Sequence, residues 1–527
     1  MRKLPIGIQS FEKLREENFV YVDKTAYIAE LVNSGSVFFL SRPRRFGKSL
    51  FISTLEAYFL GRKELFGGLE IEKYEMLKPK EEQWTVYPIF LFSLSGGAFQ
   101  TEQGLAIRLA YELDRFEKRY GIAHQEKLDL PTQFQYCIEE SFRLTGKRVV
   151  VLVDEYDKPL LETMDVNTRQ EQANHDLLKS FFSILKDEDR YLRFVFISGV
   201  TKFNKVSIFS DLNQLKDISL LPAYSAICGI TEKELMQNFA QEVCRLAQAQ
   251  ELTLEMTLEK LARVYDGYHF SEKMEGVYNP FSILNAFSDC RFGRYWFESG
   301  TPTFLIRRLM ESGLPVQDFS EGVRATEESI SNYRADYHDL VPIYYQTCYL
   351  TISAYDREFQ EYTLSYPNEE VKYGYLNSLI PAVNPEYASK AGVFSVYRMI
   401  GFLRDNDMEP FMIMLQALLA GIPYHEGKVP SQEQQWRNIV YAIFTVLGQY
   451  VRAEVHSANG RSDCVVENER YFYIFEFKQD KTAEEALKQI DDRGYALPYA
   501  ASQKKVIKVG ADFSTEKRTL DAWKIVG

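Results

Sequence analysis

A short apolar run, Ser36-Val-Phe-Phe-Leu40, passes without a spacer into the basic loop Ser41-Arg-Pro-Arg-Arg-Phe-Gly-Lys-Ser49. From there Ser49-Leu-Phe-Ile-Ser-Thr-Leu-Glu-Ala-Tyr-Phe59 repeats its apolar positions at helical spacing. A buried strand, a basic turn and a helix start is the setting in which backbone N–H groups and a helix N-terminus bind phosphate. The general motif for such a loop is G-x-x-x-x-G-K-[ST]. Counted back from Ser49, Arg42 occupies the position of its first glycine.

A second apolar run, Val149-Val-Val-Leu-Val153, is followed at once by Asp154 and Glu155. A third, Leu192-Arg-Phe-Val-Phe-Ile197, ends in Ser198-Gly-Val-Thr201. With helical patterns between them, as around 175–185, these runs predict a parallel α/β sheet. The chemistry then assigns itself. Lys48 brings charge to a phosphate and Ser49 a hydroxyl to Mg²⁺. Asp154 holds the same ion through the shell of Ser49, and Glu155 polarises an attacking water. Phe46 and Gly47 complete the loop, Pro43 fixes part of its turn, and Arg42, Arg44 and Arg45 place positive charge near the phosphates. Thr201, Lys202 and Lys205, after the third run, are the candidate sensors of the nucleotide. An acidic strand end is by itself an ordinary solvated turn; its place after a phosphate loop gives it this meaning.

A second constellation lies near the C-terminus. Gly460-Arg-Ser-Asp463 precedes Tyr471-Phe-Tyr-Ile-Phe-Glu476-Phe-Lys478. In one extended strand Glu476 and Lys478 share a face. Asp463, at the start of the preceding strand, is positioned for a hairpin to bring it beside Glu476. Two such carboxylates bind Mg²⁺ or Mn²⁺ through oxygen, and a neighbouring lysine orients or activates a water. Glu433, on a helix over 432–447, adds a third carboxylate, and Gln489 and Tyr495 follow on a helix packed over the sheet. This is the layout of metal-assisted phosphodiester cleavage. Cys464 reads as core.

Between the two sites the texture is helical from 222, clearest at Thr231–Gln248 and Thr257–Tyr265. Residues 337–370 read as an apolar helix and two alternating strands joined by a polar turn, which suits either a winged helix or a packing module. Helices follow to 428, and the rest runs helix, three strands, helix, strand. The expected domains are 1–221, a nucleotide-binding sheet; 222–335, a helical lid; 336–428, a winged-helix-like and helical connector; and 429–527, a nuclease-like α/β domain. At 527 residues several cores are needed. The six cysteines are scattered without C-x-x-C, which argues against a zinc site or a disulfide framework and suits a reducing cytoplasm. No apolar run is long enough for a membrane span, and no signal peptide is read at the N-terminus. A net charge of −12 makes the whole surface a poor non-specific nucleic-acid binder without excluding a local basic groove.

The motifs Tyr21-Val-Asp-Lys-Thr25, Arg42-Pro-Arg-Arg-Phe-Gly-Lys-Ser49, Val153-Asp-Glu-Tyr-Asp-Lys-Pro159, Ile197-Ser-Gly-Val-Thr-Lys-Phe203, Tyr265-Asp-Gly-Tyr-His-Phe270 and Tyr278-Asn-Pro-Phe281 together resemble the bacterial AAA-ATPase-like family. Gly460–Lys478 with Gln489–Tyr495 resembles the PD-(D/E)XK nuclease domain that such proteins carry. The resemblance implies a P-loop ATPase joined to a restriction-endonuclease-like fold, with Arg42 as the loop's usual residue. It implies ATP and Mg²⁺ at Lys48, Ser49, Asp154 and Glu155. It makes Asp463, Glu476, Lys478 and Glu433 the metal and catalytic residues of a nuclease acting on nucleic acid, DNA in preference to RNA. Homo-oligomers, and a role in defence or mobile-element biology, would fit. A switch-type scaffold NTPase whose nuclease-like domain binds without cutting is the alternative. Tyr21 or Asp23 is expected near the adenine.

Overall fold

The computed structural model describes residues 3–164, 166–202, 208–209, 211–296, 305–306, 308–309, 314–331, 340–383, 392–420, 432–448, 452–455, 464–499 and 502–527, with backbone alone at 331, 380–383, 392–397, 432–435 and 452–455. They divide into two compact units. One comprises Met1–Tyr295, Arg324–Tyr337 and Val341–Asn368, the other Trp296–Val323, His338–Leu340 and Glu369–Gly527.

In the first unit the apolar runs become strands β1 (Val37–Ser41), β2 (Ile89–Ser93), β3 (Val149–Asp154) and β4 (Leu192–Gly199), with a short β5 (Lys216–Asp217). Their order is β2-β3-β4-β1-β5 and every pairing is parallel. All six residues of β3 are buried, as a strand covered on both faces requires. The helix Lys48–Phe59 starts directly after the phosphate loop, and β3 and β4 end beside it in register, with Ser41 opposite Gly199. The loop and the acidic strand end therefore lie at the same, C-terminal, edge of the sheet, where parallel sheets build their sites.

Helices Gly104–Tyr120, Leu130–Thr145 and Thr168–Asp187 contribute Phe116, Phe134, Phe181 and Phe182 to an aromatic layer against β2. Phe90 stacks on Phe116 at 4.6 Å and Phe134 on Phe181 at 4.7 Å. Phe92 meets Phe116, Phe134 and Phe181 edge-on at 5.0–5.3 Å. The strand β2 lies outside the three apolar runs singled out in the sequence.

The helical region after the sheet starts with a capping box, Thr231 and Glu234, on helix Glu232–Ala249. With Leu254–Tyr265 and Pro280–Asp289 it closes over Leu235, Phe239, Leu261, Tyr265, Ile283 and Phe287. A two-residue hairpin, β6 (Tyr268–His269) with β7 (Gly276–Val277), projects from it. The helix-and-hairpin reading of 337–370 is met by helix Val341–Gln346 and strands β9 (Thr351–Asp356) and β10 (Glu361–Ser365), while 337–339 lie outside the described residues. A third strand, β8 (Val323–Thr326), adds to β10. The hairpin is bonded to the β6 segment: the N–H of His269 donates to Thr351 Oγ1 at 2.7 Å.

The second unit packs helices Glu369–Val383, Gly392–Asp405, Met408–Ala420 and Gln432–Leu447 with a five-stranded sheet. Its order is β11 (Arg452–Val455), β12 (Cys464–Glu467), β13 (Tyr471–Gln479), β14 (Lys505–Ser514), β15 (Thr519–Val526). Only β13 and β14 are parallel, and helix Ala483–Asp492 is the crossover between them. The terminal strand β15 was not anticipated from the sequence. Among the described residues no helix is long and apolar enough to cross a membrane.

Phe92 is fully buried and meets three other rings, so Phe92→Ala should cost about 3–5 kcal/mol of unfolding free energy. Urea unfolding of the full chain checks this; a loss under about 1 kcal/mol would mean that the aromatic layer closes over the gap.

Candidate active sites

The phosphate loop bends where its residues permit. Gly47 sits at φ +97°, a left-handed conformation that favours glycine, with nothing within 4 Å of where a Cβ would be; its need is conformational rather than spatial. No side chain caps the helix that begins at Lys48, so its first N–H groups are left to a ligand. Lys48 is buried, and its Nζ donates to the carbonyls of Arg42 and Pro43, both at 2.8 Å. Burial lowers its pKa, against the attraction of Asp154.

The three arginines go different ways. Arg42 corrects the expectation that its charge lies beside the phosphates. Its guanidinium is buried, does not line the cavity in front of the loop, and donates to the carbonyls of Ser41, Ser219 and Tyr224 at 2.8–2.9 Å. Phe270 lies under it at 4.1 Å. Arg45, at φ +68°, is stacked on Phe281 at 3.8 Å. Arg44 is exposed into the cavity. Phe46 is buried edge-on against Tyr268 at 4.8 Å and Phe270 at 5.7 Å. The motifs around 268–270 and 278–281, whose roles were not legible in the sequence, thus hold the loop from outside.

That cavity is about 440 Å³, and Lys24, Arg44, Arg45, Lys48, Ser49 and Glu155 supply charged and polar lining. Ile8, Val22, Ile230, Phe239 and Leu284 supply an apolar part. Tyr21 lines it, its phenol buried; Asp23 does not, and instead accepts from the N–H of Glu70 at 2.8 Å at the start of helix Glu70–Met76. The segment 5–9 and the 227–230 turn were missed as cavity walls, because nothing local in their sequence marks them.

At the acidic strand end, Asp154 is buried and accepts from Ser198 Oγ at 2.8 Å. Glu155 follows at φ +56° and faces the cavity, 3.9 Å from Lys158 Nζ. Burial raises its pKa, and the Asp154 charge adds to the rise. Thr201, expected as a sensor, is instead fixed: its N–H and hydroxyl both donate to the buried Asp157, at 2.6 and 2.7 Å, and it does not line the cavity. Lys202 Nζ pairs with Asp217 at 2.9 Å, and Lys205 lies outside the described residues.

In the second unit Glu476 and Lys478 share a face of β13, with Lys478 Nζ 2.9 Å from Glu476 Oε1. Gln489 joins them from helix Ala483–Asp492, accepting from Lys478 at 2.5 Å and donating to Glu476 Oε1 at 2.5 Å. Glycine makes this possible. Gly510 is the register partner of Glu476, and a Cβ there would stand 2.4 Å from the Ala483 carbonyl and 2.8 Å from the Leu487 nitrogen. Tyr495 OH is 3.4 Å from Gln489 Nε2. The β12–β13 ladder is described from Cys464 opposite Phe475 onward; Asp463 lies outside the described residues. Glu433 falls at the start of helix Gln432–Leu447, its side chain also outside them. Cys464 is core, as read.

Residues 5–209 match the family described as "Predicted AAA-ATPase", and residues 431–523 match the PD-(D/E)XK nuclease superfamily. The chain is 37% identical over 536 residues, 98% of each chain, to a protein of Azotobacter chroococcum mcd 1 named "Uncharacterized protein in vnfD 5'region". It belongs to the AAA-ATPase-like family that carries a C-terminal PD-(D/E)XK nuclease superfamily domain.

One buried acid in this region sets a pH dependence. Burial pushes the Asp266 carboxyl up to about 6, and its Oδ1 has no hydrogen-bond partner among the described residues. An acid whose folded pKa is raised contributes stability at low pH that is lost as pH rises through that value. Between pH 5 and 7 this group should cost the fold about 1 kcal/mol, and Asp266→Asn should remove that slope. Denaturant midpoints across that range, in both proteins, are the check.

Proposed function

We propose that this chain is a nucleotide-controlled nuclease: ATP binds and is hydrolysed at the phosphate loop, and its state governs metal-dependent cleavage of nucleic acid, DNA in preference to RNA, by the C-terminal domain. The observation that carries the reading is the Glu476–Lys478–Gln489 cluster, a carboxylate, an amine and an amide within 2.5–2.9 Å on a strand and a crossover helix. A carboxylate with a charged amine beside it is what a metal-assisted attack of water on a phosphodiester needs. Oxygen donors suit a divalent cation: Glu476 would hold one, with Asp463 and Glu433 expected from the sequence to join it, and Ser49 with Asp154 would hold the one that accompanies ATP. When bound, such an ion neutralises phosphate charge and lowers the pKa of water. Everything else falls to the protein. Lys48 and the uncapped helix start bind the phosphates, Glu155 holds the attacking water, and Lys478 orients the water at Glu476.

A nuclease-like domain that binds without cutting is the second reading, and the close hold of Glu476 and Gln489 on the Lys478 amine is the observation on its side. A role in defence or mobile-element biology suits either.

Two measurements test this. Purified full-length protein with Mg²⁺ or Mn²⁺ should nick plasmid or degrade single strands in a manner that changes with ATP, and Asp463→Ala should lose that activity by at least about 100-fold. Cleavage undiminished in Asp463→Ala places the chemistry elsewhere; no cleavage of DNA or RNA by the wild type leaves the binding-only reading. For the loop, Lys48→Ala should weaken ATP binding by calorimetry at least about 100-fold, since it removes a charge-assisted contact in a buried site. Binding retained in that variant means another loop holds the nucleotide.

A further inference from the structure

The loop carries three arginines, and the geometry separates them. Arg42 is buried under three carbonyls and the Phe270 ring, and Arg45 lies flat on Phe281. Arg44 is different. Like Arg45 it is exposed and lines the same cavity as Lys48, Ser49 and Glu155, but unlike Arg45 it lies on no ring and has no hydrogen-bond or ion-pair partner among the described residues. Lys24 also lines the cavity, but its amine is held by Glu234 and the Ala226 carbonyl, and Lys158 is bonded to the Ser95 carbonyl and does not line the cavity. Thr201 and Lys202, which follow β4, are occupied by Asp157 and Asp217. The electrostatic influence of Arg44 also reaches Glu155, lowering the carboxyl pKa that burial raises.

We propose that Arg44 is the arginine that stabilises the transferring phosphoryl group, supplied by the loop itself rather than by a second chain. The assignment rests on the nucleotide reading above. In the reaction a water oxygen forms a bond to the γ-phosphorus as the bond from that phosphorus to the bridging oxygen breaks. The bridging oxygen keeps the electron pair and leaves on ADP. The water proton passes to Glu155 and then to solvent, and ADP and inorganic phosphate are the products. Negative charge grows on the bridging oxygen as the bond opens, and an unpartnered guanidinium at that part of the cavity is free to meet it. A planar fork suits these oxygens better than an ammonium, and this loop carries arginine at the position.

The experiment uses full-length protein, with ATP affinity from calorimetry and turnover from phosphate release. Arg44→Ala should lose about 10³-fold in turnover, the range in which an arginine of this kind acts. ATP affinity in the same variant should change by less than about tenfold, which also shows that it is folded. Arg44→Lys should recover only part of the loss, and the wild-type rate per molecule should not depend on protein concentration. Wild-type turnover in Arg44→Ala, or a loss confined to affinity, overturns the assignment, as does a specific rate that rises with protein concentration. Wild-type protein that binds ATP without releasing phosphate overturns it too, and leaves only the nucleotide-binding half of that reading standing. Failure of the wild type to bind ATP removes both.

Discussion

The Arg42 guanidinium is 2% exposed, sealed between the carbonyls of Ser41, Ser219 and Tyr224 and the face of Phe270. A charge taken that far out of water is tolerated only when donors find acceptors, since an unpaired buried charge costs several kcal/mol. The acceptors are the neighbouring Ser41 carbonyl and two carbonyls of the distant 219–224 stretch, and the ring comes from a third stretch, at Phe270. The end of β1, the turn after β5 and the strand at 268–270 must therefore all be in place before the loop is stable. Here a side chain does the work that glycine's freedom does in the general motif, by fixing the loop rather than letting it turn.

Tyr156, Asp157 and Gly199 do the same on the acidic side. Asp157 is completely buried and binds the N–H groups of Val200 and Thr201 and the Thr201 hydroxyl, so it clamps the end of β4 to the turn after β3. Gly199 is required because a Cβ would stand 2.6 Å from the Tyr156 ring and 2.9 Å from Asp157. The four residues Asp154-Glu-Tyr-Asp157 thus divide in pairs: the first pair belongs to the site, the second holds the strand ends that present it.

Much of this fold is legible in the sequence because the buried strands are runs of apolar residues and several helices, such as Glu232–Ala249 and Ala483–Asp492, start at a capping box. The strand β2 was missed, although Ile89-Phe-Leu-Phe-Ser93 has the same texture, and so was β15, in which only Leu520 is buried. The sites were legible to a different depth. Glu476, Lys478 and Gln489 meet as read, because strand alternation and a crossover helix leave few other arrangements. Arg42 and Thr201 were misread, because sequence position gives proximity and not direction. Both side chains point into the protein, drawn by carbonyls and a carboxylate far away in the chain. Residues 268–270 are more than two hundred positions from the loop they brace, a relation no local pattern carries.

Lys48 shows what the bracing is for. Its amine already holds two loop carbonyls at 2.8 Å, so a phosphate arriving at the loop exchanges hydrogen bonds rather than adding them. The net gain then comes from charge: a phosphate oxygen binds a buried ammonium more strongly than a neutral carbonyl does. Releasing those carbonyls also frees the backbone at Arg42 and Pro43, which Arg42 pins to the Phe270 segment. Arg42 lies on Phe270, and His269 of the same segment is hydrogen-bonded to Thr351 at the start of the β9–β10 hairpin. Contacts thus run from the lysine through Arg42 and Phe270 to that hairpin. A loop built around a freely turning glycine has no such ties, whereas the pinned arginine fastens this one to segments far away in the sequence.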